Sequence, residues 1–354
     1  MTERVGAIFS IIVCTLGASS AFAQVAPQPS ASAQNTPTQD EFTEALQMST
    51  ERGLEALAAM QASDGSFGGR FGRNVAITSL AAIAFMADGN LPDRGKYAEQ
   101  VQKALDYVLS CSSESGLIAD EAVTSPMYGH GFATLFLGEI VGMSAGGVES
   151  PESQRAHEAL VKAVRLIERT QNQQGGWRYN PVPFDADVSV TICQVMGLRS
   201  ARNAGLEVSS EVIDKAVKYV RDCQNPDGGF RYQLDPGTSG WARSAAGVAT
   251  MYYAGIYEDK AIDEGLDYIK TVGMPGLTDE QPHRWYGHYY AVQAMYLAGG
   301  DHWAQWWPAA REELVSSQLR NGTWSDNSFG DDYATAMALI VLQMPKRYLP
   351  IFQK

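Results

Sequence analysis

The sequence predicts an all-α fold in which six helical hairpins close into an (α/α)6 toroid, and three observations lead to it. First, a turn of the form Gln-x-x-x-Gly-x-Phe/Trp recurs, at Gln61, Gly65 and Phe67; Gln171, Gly175 and Trp177; Gln224, Gly228 and Phe230; and Gln318, Gly322 and Trp324. Second, these copies lie one or two periods of about fifty residues apart. Weaker copies fill the gaps, one with Ser112, Gly116 and Ile118, the other with Val272, Gly276 and Thr278. Third, helices with a single apolar stripe alternate along the chain with helices apolar nearly all round. Six of each bury most surface as two concentric rings, because an open stack leaves its terminal inner helices wet.

The elements follow in chain order. Arg4 precedes an apolar run from Val5 to Leu16, and small residues close the stretch at Ala21-Phe22-Ala23. This pattern reads as a signal peptide over residues 1–23, cleaved after Ala23. Cys14 follows Val13 inside the apolar run, which does not suit a lipid anchor. Residues 24–39 carry no charge and are mostly Pro, Ser, Ala, Gln and Thr, so they form a linker too polar to pack. Residues 40–354 are the toroid, a single domain.

In the outer helix before the third turn, Leu160, Ala163, Val164 and Ile167 share a stripe while Lys162, Arg165, Glu168 and Arg169 lie off it. Thr78 to Met86 and Ala334 to Leu342 contain no charge at all and read as inner helices. In each turn the glycine permits the reversal, the Gln amide satisfies open backbone groups at the helix end, and the ring packs over them, so the motif is structural.

Composition narrows the function. The chain is 45% hydrophobic with a net charge of −13, which supports a core and repels nucleic acid and anionic lipid headgroups. No segment of the mature chain offers the ~18 consecutive apolar residues of a membrane span, so a soluble exported protein, periplasmic or extracellular, is expected. Cys111, Cys193 and Cys223 are an odd count without paired spacing, and act as small hydrophobes.

Polar residues at the starts of the inner helices, Asn74, His130, Asp187, Arg243, His288 and Asp332, should ring one mouth of the central cavity, with helix N-termini facing it. Aromatic residues crowd the last third, including Trp285 and Tyr286, and could line that cavity. The third and fourth turns share Gly-Gly-aromatic-Arg-Tyr, placing Arg178-Tyr179 and Arg231-Tyr232 on neighbouring turns, either as an anion clamp or paired internally with Asp227 or Asp235.

The four complete turns resemble those of the squalene cyclase and protein prenyltransferase superfamily over residues 45–345, which implies an α/α toroid. Squalene cyclases carry Asp-x-Asp-Asp, whose central acid protonates a polyene. Asp185-Ala186-Asp187-Val188 is similar and keeps the first two acids, with Val188 replacing the third. The resemblance implies Asp187 as catalytic acid and Asp185 as its partner; His130, Arg243, His288 and Asp332 of the mouth ring, with Trp285 and Tyr286 of the aromatic group, are the substrate-binding candidates. Trp285 to Tyr290 resembles the stretch that supplies a zinc-binding His in prenyltransferases, but no Asp-x-Cys is present, so neither metal nor cofactor is expected. Two functions stay open: binding of an isoprenoid or other hydrophobic ligand in the central cavity, with or without its transformation, or non-catalytic binding of a protein, peptide or glycan. Oligomeric state is not legible.

Overall fold

The computed structural model describes residues 41–120, 124–144, 151–276 and 281–353. The signal peptide, the linker and Thr278 lie outside the described residues. Within them the chain forms twelve α-helices and no strands, two helices to each repeat. The outer helices are α1 (Glu44–Met60), α3 (Ala98–Ser110), α5 (Pro151–Thr170), α7 (Ser210–Asp222), α9 (Lys260–Gly273) and α11 (Gly300–Ser316). The inner helices are α2 (Val75–Ala87), α4 (Pro126–Met143), α6 (Val188–Asn203), α8 (Trp241–Tyr253), α10 (Arg284–Ala298) and α12 (Asp331–Leu342). Each inner helix packs on the next, and α12 packs on α2, closing the ring.

The helices begin where short polar side chains accept orphan amides. Thr43, Asn74, Asp187 and Asp259 cap α1, α2, α6 and α9, and Pro126 opens α4. Outer helices bury one stripe, for example Leu160, Ala163, Val164 and Ile167 in α5, whereas nearly every residue of α2 is buried.

The repeat motif does more than end a helix. Each Gln amide donates twice, to its own turn glycine and to the first turns of the next outer helix. Gln61 reaches Gly65 and Gln100 (3.0 and 2.9 Å), Gln171 reaches Gly175 and Val212 (both 2.8 Å), and Gln224 reaches Gly228 and Ala261 (2.9 and 2.8 Å). Gln318 bonds Gly322 and, across the closure, Ser49 of α1 (both 2.8 Å). The motif glycines have φ near +90°, and a Cβ on Gly175 would stand 2.2 Å from the Lys215 carbonyl oxygen. The next helix backbone seats directly on the glycine, so Gly serves both the turn and the close approach. Trp177 and Trp324 return their indole N–H to Ile167 and Leu314 carbonyls of the preceding outer helices (both 2.8 Å).

The expected hollow along the axis is corrected. Side chains of α10 cross it: the Tyr286 hydroxyl donates to Ser189 O on α6 (3.0 Å), Tyr290 meets Cys193 at 3.5 Å, and Tyr289 packs edge-on against Phe132 of α4. Tyr289 and Tyr290 are wholly buried, so the axis is filled at this level. Glycines at the α4–α6 crossing draw these two helices together. A Cβ on Gly131 would lie 2.7 Å from Cys193 Cβ, and one on Gly138 2.4 Å from Ser200 Oγ. Cys111, Cys193 and Cys223 are free thiols, the last two buried.

Candidate functional site

The first amides of three inner helices are already taken, so they offer no bare anion site. Val75 donates to Asp120 Oδ2 (2.8 Å), Met127 to Tyr179 O (3.0 Å) and Val188 to Tyr232 O (3.0 Å). Each acceptor belongs to the next repeat, which therefore caps its predecessor.

Most of the proposed mouth residues turn away from the axis. His130 is fully buried between the rings: Nδ1 accepts from Ile118 N–H (3.2 Å) and Nε2 donates to Ala163 O (3.3 Å). Burial pushes its imidazole down to about 4, so the ring is neutral. It stands where Thr78, Thr191, Ser244 and Thr335 receive the amide of the motif aromatic in other repeats. His288 Nε2 likewise points outward, to Glu313 Oε1 on α11 (3.1 Å), beside Arg284 (2.7 Å from that oxygen). Burial alone would raise the Glu313 carboxyl, but His288, Gly276 N–H and Arg284 together bring it down to about 2. Arg243 folds back on Thr238 O (2.9 Å), and Trp285 donates to Ser325 O (3.2 Å). Asp332 accepts the amides of Gly68 and Gly69 (2.8 and 2.7 Å), tying the first turn to the last inner helix.

Asp187 is different. It caps α6 through Oδ1, which accepts Val190 N–H at 2.8 Å. Its Oδ2 makes no hydrogen bond and lies 3.4 Å from Arg178 Nε. The side chain is wholly buried, and burial outweighs the lowering by Val190 N–H, the Arg178 charge, the Tyr232 hydroxyl and Ser189 N–H, raising the carboxyl to about 6. Arg178 also pairs with Asp185 (2.9 Å), whose side chain is 45% exposed, and its guanidinium lies over the Tyr179 and Tyr232 rings (4.7 and 5.4 Å). The Tyr179 and Tyr232 hydroxyls bond each other. Tyr286, through Ser189, is the one other proposed residue brought to this corner.

Beside Asp185 opens a hollow of about 300 Å³ lined by Arg178, Tyr179, Asn180, Val182, Phe184 and Asp185. Its apolar lip, Val182 and Phe184, is 57% and 87% exposed. The Gly-Gly-aromatic-Arg-Tyr repetition was the signal for this corner. The guanidinium groups do not form a clamp: Arg231 binds Gln233 O and Asn225 Oδ1, so internal pairing holds with other partners than Asp227 or Asp235. Among the described residues no three His, Cys, Asp or Glu side chains converge as a metal site, and no helix is long and apolar enough to cross a membrane.

Comparison with known proteins adds four findings. A family model described as the prenyltransferase alpha-alpha toroid domain matches residues 38–157 and 154–269. A curated relative, drimenyl diphosphate synthase of Streptomyces showdoensis, is 29% identical over 185 residues, which cover 51% of this chain and 31% of that protein. The aligned part thus spans about a third of that relative's length. A variant of the type II terpene cyclase MstE from Scytonema, in complex with its substrate geranylgeranyl dihydroxybenzoate, superposes with a TM-score of 0.56 at 14% identity, over 87% of this chain and 98% of that one. An alpha-1,6-mannanase from Salegentibacter sp. superposes at 0.63 with 10% identity, over 86% and 99%. At such identities these structures share the fold alone.

Proposed function

Because this chain belongs to the prenyltransferase alpha-alpha toroid domain family, we propose that it binds an isoprenoid or another hydrophobic molecule at the mouth where α6 begins, and that Asp187 protonates it. The carrying observation is a fully buried carboxyl, raised to about 6 by burial, with one oxygen committed to the helix cap and the other facing Arg178 Nε at 3.4 Å. An acid so placed keeps its proton up to about pH 6, well above the range of an ordinary aspartate, and can present it from the oxygen that the helix cap leaves over. Asp185 is a positioning residue: by engaging Arg178 Nη1 it keeps the guanidinium from pairing fully with Asp187. Tyr128, Tyr232 and Tyr286 lie close enough to interact electrostatically with Asp187, and their ring faces suit a developing positive charge. His130, Arg243, Trp285, His288 and Asp332 support the turns around the site. The names of the curated relative, a drimenyl diphosphate synthase, and of the fold neighbour MstE, a type II terpene cyclase, support this reading, and export by residues 1–23 belongs to the same proposal.

The test is extraction of the purified protein with organic solvent, mass spectrometry of any retained lipid, and incubation with squalene and polyprenyl diphosphates. Asp187→Asn keeps the cap and should abolish turnover. Undiminished turnover in that variant would remove Asp187 from the mechanism, and failure of every polyprenyl compound to bind would remove the ligand class.

A further inference from the structure

The six hairpins are complete at Leu342, yet residues 343–353 continue across the end of the inner ring opposite Asp187. Gln343 donates to Ala84 O of α2 (2.9 Å), Lys346 pairs with Asp88, Arg347 lies over the Tyr296 ring of α10, and Asn203 of α6 reaches Pro350 O (3.4 Å). Leu349, Ile351 and Phe352 are buried. Past Gln343, whose N–H still bonds Leu339 O of α12 (3.1 Å), the segment's backbone-to-backbone bonds stay within it, from Lys346 to Gln343, Arg347 to Met344, Phe352 to Leu349 and Gln353 to Pro350. It is therefore held by side chains and one buried amide, and can leave without unravelling a helix.

That amide, Ile351 N–H, donates to Glu139 Oε2 of α4 (3.2 Å). Glu139 is 1% exposed, and its Oε1 accepts Ser200 Oγ (2.7 Å), which the bare Gly138 allows to approach. Tyr253 of α8, hydrogen-bonded to Gln293 of α10, lies within electrostatic reach of Glu139. Four inner helices thus bring polar groups to a dry end of the barrel, where an apolar side chain would be the simpler filling. What reaches the carboxylate there is an N–H donor carried on an apolar body, Ile351 with Phe352 beside it.

We propose that residues 349–352 occupy a ligand site as an intramolecular stand-in, and that the site accepts instead a small apolar molecule bearing one O–H or N–H donor, with Glu139 as its acceptor. This site lies at the opposite end from Asp187 and does not depend on the reaction proposed there.

The probes are 2-naphthol and 2-methoxynaphthalene, which share a ring system and differ in the donor, titrated by fluorescence into the full chain. Ile351→Ala with Phe352→Ala should loosen the segment and tighten 2-naphthol binding about tenfold, with the methyl ether about tenfold weaker than the naphthol. Adding Glu139→Met should erase that preference, while Asp187→Asn should leave it intact. In the unaltered protein, saturating 2-naphthol should speed hydrogen exchange at Leu349, Ile351 and Phe352, a readout that needs no variant to fold. Absence of saturable 2-naphthol binding, equal affinity for both compounds, or unchanged exchange at these amides would each overturn the proposal.

Discussion

At the scale of single residues, the corner around Asp187 is set by competition between burial and hydrogen bonding. Its carboxyl at about 6 predicts that turnover falls as pH rises through that value, because only the protonated form can donate. A pH–rate profile that is flat from 5 to 8 would contradict this. Tyr286 is one of three α10 tyrosines that cross the axis, and its hydroxyl bonds Ser189 O. Tyr286→Phe removes that bond, worth about 1 kcal/mol, and should raise affinity for a hydrophobic ligand about fivefold in an equilibrium titration. The pair Asp185 and Asp187 was singled out by its resemblance to the Asp-x-Asp-Asp motif, and Arg178-Tyr179 by its repetition. The partnership of Arg178 with both acids was not, because a side chain seven or nine residues away meets it only once the loop folds back.

At the scale of the element, the motif turn is a joint between repeats. Two of its glycines separate the two demands made on them. Gly175 combines φ of +102° with a carbonyl 2.2 Å from the position of a Cβ, whereas Gly276, at φ of +88°, has nothing within 4 Å. Gly276→Ala should therefore cost about 1 kcal/mol of backbone strain, and Gly175→Ala clearly more, roughly 2–4 kcal/mol, because Lys215 of α7 must also shift. Urea unfolding of the two variants measures the difference, and equal losses would mean that the close approach carries no weight. That the turns recur was plain from the residues. That each Gln reaches forward to the next outer helix was not, since Gln61 and Gln100 are made neighbours by the curvature of the ring.

At the scale of the whole molecule, closure and interior charge decide stability. Asp332 binds the Gly68 and Gly69 amides from the far end of the chain. Asp332→Ala should leave a buried donor unmatched, cost about 1–3 kcal/mol, and speed hydrogen exchange around Gly68 more than in α6. Glu139 and Asp187 carry carboxyls raised, mainly by burial, to about 7 and about 6. Through these two groups the folded chain binds more protons than the unfolded chain between about pH 4 and 7, so their contribution to stability falls as pH rises through that window, opposed by His130, whose imidazole is lowered to about 4. Glu139→Gln should remove part of this slope, on the order of 3 kcal/mol between pH 4 and 8, in thermal melts across pH. An unchanged slope would place the carboxyl's titration elsewhere.

By itself the sequence determined the helical hairpins, their number and their alternation, because local periodicity and a recurring turn are properties of neighbouring residues. It also carried the two acids at the start of α6. Only the tertiary structure decided where the polar residues at the inner-helix starts point, that tyrosines of α10 fill the axis, and that Glu139 lies beneath Ile351. Those outcomes depend on which side chains meet across the ring, and a rotation of one helix by a single residue, about 100°, turns a cavity-facing group into one buried between the rings.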